Sequence, residues 1–195
     1  MKNTKSLKRI GALLCALMLC LSGCGGKKNL PEPTKDEATA LIDAYLEYER
    51  YTVYGSYTIE ADWEHPVDVK GRAHRFSKVT DSRFNTWKEW TEFAESIFCG
   101  KYLIQIFNEQ TNFVNIDGFT YCFGVRTDWT LSEDYTYEIT HTKKGATVLE
   151  LRRGDDGEDS WDMIHSDYFL LSETASGWRI AGLTEPEPEA GKPNP

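Results

Sequence analysis

Basic residues, histidines and cysteines are all scarce in this 195-residue chain, and each shortage removes a class of function. Lys and Arg number 22 against 31 Asp and Glu, a formal net charge of −9. Nucleic-acid binding rests on cations that displace condensed counterions, so that class is set aside. The four histidines, His65, His74, His141 and His165, form no His-x-x-x-His pair, and no Cys-x-x-Cys occurs, which argues against zinc. There is no Gly-x-Ser-x-Gly, no phosphate-cradling glycine loop and no internal repeat. Long apolar runs are also missing: the longest, Ile10 to Leu21, falls well short of the ~20 residues a bilayer-spanning helix needs.

What that run does have is a positive start, with Lys2, Lys5, Lys8 and Arg9 ahead of it and Leu21-Ser22-Gly23-Cys24 behind. A basic n-region, a short apolar h-region and small residues before the cut make a secretory signal. The last four residues resemble the bacterial lipobox, in which the cysteine becomes the mature N-terminus and receives a thioether-linked diacylglycerol. Cys24 is then expected to be lipidated and the chain to be extracytoplasmic, anchored to the bacterial cell membrane. Two acyl chains supply the double apolar signal that stable anchoring requires, at ~0.8 kcal/mol per buried methylene.

Loss of residues 1–23 removes four basic side chains and no acidic ones, so the mature charge is about −13, and the folded body is expected to stand off anionic lipid. A basic protein surface would attract it. Six Trp, ten Tyr and nine Phe supply the core of one domain of about 150 residues. Cys15 and Cys20 leave with the signal and Cys24 takes lipid, so Cys99 and Cys122 remain. They are available for a disulfide in an oxidising compartment, or lie as two separate buried thiols, which the burial habit of cysteine favours.

The chain divides into the signal 1–23, a Gly/Lys/Pro linker 24–33, a folded domain 34–184 and an acidic, Pro-rich tail 185–195 too polar to pack. Thr34 with Glu37, and Thr86 with Glu89, have capping-box spacing. The first predicts a helix presenting Leu41, Tyr45, Tyr48 and Thr52; the second predicts one presenting Trp87, Trp90, Ala94 and Ile97. Gly100 breaks the second, and Tyr102, Leu103, Ile106 and Phe107 open a third. Short strands are expected over 57–62 and 74–79. Asp117-Gly118 between two apolar runs predicts a tight hairpin, and further hairpins are expected over 135–152 and 161–183. Helices first and antiparallel strands afterwards predict an α+β fold, N-terminal helices packed on a curved sheet in a cystatin-like or NTF2-like manner.

Chemistry-bearing candidates are few. The cluster Asp155-Asp156-Gly157-Glu158-Asp159 lacks the alternate-position ligands of an EF-hand and reads as a solvated acidic hairpin loop. Asp128 and Tyr135 are conceivable pocket residues of an NTF2-like enzyme, with surface acid and rim aromatic as the plainer readings. Trp87 and Trp90 suit sugar stacking by type but core packing by spacing. No catalytic motif, metal site or cofactor site emerges.

Three stretches taken in order carry a family resemblance: Arg75-Phe76 through Phe84-Asn85-Thr86-Trp87 to Ile97-Phe98, then Asn115 to Tyr121, then Ser176-Gly177-Trp178-Arg179-Ile180. Together, over residues 38–183, they resemble the IseA-type DL-endopeptidase inhibitors. The resemblance implies an extracytoplasmic protein that blocks NlpC/P60-type cysteine peptidases acting on peptidoglycan stem peptides, by offering an acidic surface or loop to the cleft. Cys122-Phe123-Gly124 departs from that pattern. The expectation is therefore a membrane-anchored, non-enzymatic peptidase inhibitor or regulator with Asp155, Asp156, Glu158 and Asp159 as the contact loop. The alternative is an NTF2-like lipoprotein that binds a small ligand or peptide.

Overall fold

The computed structural model describes residues 30–54, 59–109, 112–124, 131–155 and 164–185, with backbone alone at 53–54, 131–133, 155 and 164. All elements lie in the unit beginning at Glu32.

Both capping boxes form. Thr34 Oγ1 accepts from the Glu37 N–H and Glu37 returns a carboxylate oxygen to the Thr34 N–H at 2.8 Å, opening α1 (Lys35–Glu49). Thr86 and Glu89 do the same for α2 (Trp87–Ile97). Each box satisfies amides that the first turn leaves without helical partners. α1 buries Ala38, Leu41, Ile42, Tyr48 and Glu49 and runs into one π-helical turn, Arg50–Tyr54. There the Thr52 hydroxyl donates to the Tyr48 carbonyl and the Asn112 side-chain amide donates to the Thr52 carbonyl.

Two short strands, β1 (Val67–Asp68) and β2 (Arg75–Lys78), precede α2, and β2 falls within the strand expected over 74–79. Of the strand expected over 57–62, residues 57–58 lie outside the described residues, and the remainder makes only the bridge Ala61 to Val79. After α2, Gly100 takes φ +60° and starts α3 (Gly100–Glu109), whose apolar face is only half buried. Glycine reaches that left-handed angle without the Cβ clash, which lets the chain turn sharply between two helices.

β3 (Phe113–Ile116) and β4 (Phe119–Cys122) meet at Asp117-Gly118, both with positive φ, as a tight hairpin demands. They join β2 and β1 in an antiparallel sheet ordered β1-β2-β4-β3. A second sheet is a plain meander of β5 (Leu131–His141), β6 (Thr147–Asp155), β7 (Ile164–Thr174) and β8 (Gly177–Leu183). The protein is thus α+β with helices on antiparallel sheets, two sheets replacing the single one expected.

The core joins all of these layers. Trp90 is fully buried, stacked on Phe113 at 4.2 Å and on Tyr48 at 5.7 Å. Tyr45 of α1 meets Phe169 of β7 edge-on at 4.8 Å. Beyond β8, Phe98 bridges Ile180 and the Cys99 amide donates to the Ile180 carbonyl, so the α2–α3 junction covers that sheet edge.

Candidate functional site

The acidic segment singled out above is rooted where β6 ends. Alternation along β6 puts Leu149, Leu151 and Arg153 on the face toward α1, and register sets Arg153 opposite Tyr135 of β5 and His165 of β7. Two apolar side chains are thus followed by a charge on the buried face. Arg153 is 3 % exposed and needs compensation there.

Compensation comes from the last turn of α1 and from β7. Arg153 Nη1 donates to Glu49 Oε2 at 2.5 Å and Nη2 to Glu49 Oε1 at 3.2 Å, a bidentate pair. Nη2 also reaches Asp167 Oδ2 at 3.0 Å. The Tyr45 hydroxyl donates to Glu49 Oε1 at 3.1 Å. Burial works against the guanidinium charge, yet Glu49 and Asp167 override it and hold Arg153 above its ordinary range. Burial, with the charges of Glu49 and Asp167, pushes the Tyr45 phenol well up.

Around this clamp the strand ends carry surface charge. The Tyr135 hydroxyl donates to Asp43 at 2.9 Å, and burial with that carboxylate pushes its pKa up to about 12. On the opposite face Arg152 pairs with Glu150 at 2.7 Å and Glu138 at 3.3 Å, while the Tyr168 hydroxyl donates to Glu150. Asp134, Tyr135, Thr136, Arg152, Arg153 and Gly154 line an open depression at the foot of the acidic segment, beside the register shift between Leu131 and Tyr135.

The phenols of this end stay protonated near neutral pH and its guanidinium stays charged. The backbone of Asp155 pairs with Leu131 at the end of β6, whereas Asp156, Glu158 and Asp159 lie outside the described residues, as do Cys24 and Asp128. Cys99 and Cys122 are free thiols, so the disulfide left open by residue count is not made. Each serves its own element: Cys99 sits at the α2–α3 junction, and Cys122 points from β4 into the aromatic core, where burial pushes its pKa up to about 12. Trp90 is core, and Trp87 packs at 6.0 Å on Phe107, as helical spacing suggested.

The histidines are dispersed over separate elements. His65 lies beside Asp62, His74 stacks on Phe123, His141 nears Glu32 at 3.5 Å and His165 opens β7. Among the described residues no three His, Cys, Asp or Glu side chains gather as metal ligands. Sequence reading missed Glu49, Arg153 and Asp167, although a signal existed. Glu49 continues the Ile42–Tyr45 stripe of α1, and Arg153 continues the Leu149–Leu151 alternation, so both periodicities carry a charge onto a buried face.

Comparison of the chain with family models, with curated proteins and with solved structures finds no match. No helix among the described residues is long and apolar enough to cross a membrane.

Proposed function

We propose that this protein is a lipid-anchored extracytoplasmic regulator that restrains a peptidoglycan DL-endopeptidase by presenting an acidic surface to it. The observation that carries most weight is the filled interior. Between α1 and the large sheet, where an NTF2-like ligand pocket would open, Leu41, Ile42, Tyr45, Leu149, Leu151, Phe169, Leu171 and Ile180 leave a gap of about 10 Å³. That is at the lower limit for one water and far below the ~300 Å³ of a small-molecule site. Among the described residues that interior is closed to a ligand, which favours surface contact over an internal pocket, and the mature charge of about −13 makes the surface acidic.

The clamp of Glu49, Arg153 and Asp167 gives the acidic segment a fixed foot. A contact loop anchored on a rigid strand end loses less conformational freedom on docking than one rooted in mobile chain. The lipobox-like leader and the three stretches similar to IseA-type inhibitors point to the same target, an enzyme working on stem peptides near the membrane.

Release of stem-peptide fragments from purified peptidoglycan by an NlpC/P60-type peptidase tests the reading. The chain is expected to slow release, and a variant with Asp155→Asn, Asp156→Asn, Glu158→Gln and Asp159→Asn is expected to slow it less, chiefly through a lower association rate. Equal inhibition by the variant removes the loop from the account. Undiminished release at saturating wild-type protein overturns the function.

A further inference from the structure

The outermost strand of a sheet has a neighbour on one side only, and the two sheets treat their edges unequally. The β8 edge is covered by the α2–α3 junction, where the Cys99 amide donates to the Ile180 carbonyl. β1 and β3, the edges of the small sheet, are only two and four residues long. β5 is an edge of eleven residues. At its turn the Thr142 amide donates to the Ala146 carbonyl, so by register the amides and carbonyls of Thr140, Glu138 and Thr136 face β6. Those of Tyr135, Tyr137, Ile139 and His141 point away from β6 and have no hydrogen-bond partner among the described residues.

Natural sheets blunt a long edge with Pro, Lys, a bulge or a covering element. From Asp134 to His141 this edge has no Pro, Gly, Lys or Arg, and its register shift lies at its start, between Leu131 and Tyr135. It is also held in place. The Tyr135 hydroxyl donates to Asp43 and the Tyr137 hydroxyl donates to the Lys35 carbonyl at 3.3 Å, so α1 fixes the strand from its inner side and little freedom is left to lose on pairing. On the outer side Asp134, Thr136, Glu138 and Thr140 are all exposed, an alternation of acid and hydroxyl. Glu138 keeps its own Arg152 at 3.3 Å, which offsets part of its charge.

We infer that two copies of the chain pair antiparallel along β5, about a two-fold axis through Tyr137, joining their four-stranded sheets into one. In that register Tyr135 lies opposite the second copy's Ile139, Thr136 opposite its Glu138 and Asp134 opposite its Thr140. Aromatic opposite β-branched is a favourable cross-strand pair, and each carboxylate meets a hydroxyl that can donate to it. Neighbouring registers lack this match. An axis at Thr136 sets Asp134 on the second copy's Glu138, and one at Glu138 sets that residue on itself. An axis at Ile139 carries Thr136 and all before it past the second copy's last β5 residue, His141. The alternation is its own complement, which singles out a second copy over an unrelated strand. Each body is about −13 when mature and repels the other, so salt is expected to tighten this contact, the opposite of its effect on docking to a basic cleft.

Sedimentation equilibrium of the intact chain tests it. Dimer mass is expected to build between about 10 μM and 1 mM, the weak range open to so small an interface, and to build at lower concentration as salt rises. Thr136→Glu with Thr140→Glu sets acid opposite acid on both sides of the axis and is expected to weaken the dimer at least about fourfold. Thr136→Lys with Thr140→Lys sets opposite charges there and is expected to tighten it by about as much. Both positions are exposed, and unchanged circular dichroism checks the fold of each variant. Lys88→Glu on α2 changes the net charge as much as the glutamate pair does and is expected to leave the dimer nearly unaltered. Monomer mass up to about 1 mM, which would leave the edge to a strand of another protein, overturns the inference. So does a dimer that salt dissociates, one that neither pair alters, one that both pairs weaken, or one that Lys88→Glu weakens as much as the glutamate pair.

Discussion

Replacing Arg153 by Met is the sharpest perturbation of the clamp, because it removes the charge while keeping a long unbranched side chain in place. Glu49 is 8 % exposed and would lose both guanidinium hydrogen bonds, keeping only the Tyr45 hydroxyl. Asp167 is 38 % exposed at its side chain and can turn to water, so most of the penalty falls on Glu49. An uncompensated buried charge costs about 3–5 kcal/mol, which for a domain of this size lowers the melting temperature by roughly 6–20 °C. Adding Glu49→Gln to Arg153→Met removes the stranded charge while the amide oxygen still accepts from Tyr45, and is expected to restore at least about 2 kcal/mol. Urea unfolding followed by tryptophan fluorescence reads both, since the buried Trp90 reports loss of the core. A loss below about 1 kcal/mol for Arg153→Met, or a double variant no more stable than the single one, would refute the clamp.

Further outcomes follow from individual contacts. Thr86→Ala removes the cap of α2 and is expected to cost about 1 kcal/mol, measured by the same unfolding curve. In the native protein a thiol reagent is expected to modify Cys99 slowly and Cys122 not at all, because burial raises both thiols and Cys122 is fully enclosed; denaturant should release the second. Hydrogen bonds from Arg83 hold the Asp81 carboxyl below its ordinary value, so its contribution is complete above the unfolded value near ~3.9 and fades as pH falls through the lower folded one. Stability of Asp81→Asn measured from pH 5 downward should therefore fall less than that of the wild type, by under about 1 kcal/mol for so exposed a partner as Arg83.

Features set by neighbouring residues could be read from the sequence. Thr34 and Glu37, Thr86 and Glu89, and Asp117 with Gly118 act over three residues or fewer, and their geometry follows from the residue types alone. The large meander was legible too, because each of its strands pairs with the next. The small sheet was not. β2 finds β4 through Ser77 opposite Cys122, with α2, α3 and β3 between them in the chain, and nothing local announces that pairing. The clamp joins Glu49 to Arg153 across 104 positions, visible beforehand only as two charges misplaced on apolar stripes. Sequence alone left open whether the interior held a pocket, since the same apolar residues line an empty cavity or fill one.

Acidity draws a basic cleft over distance, so salt must weaken the encounter if charge steers it. The most direct test of the proposed function is the association rate between the intact chain and an NlpC/P60-type peptidase, measured across ionic strength. Binding is expected to be measurable, its association rate falling by about tenfold or more between low and physiological salt with dissociation little changed. An association rate indifferent to salt, or no binding at all at low salt, would contradict it.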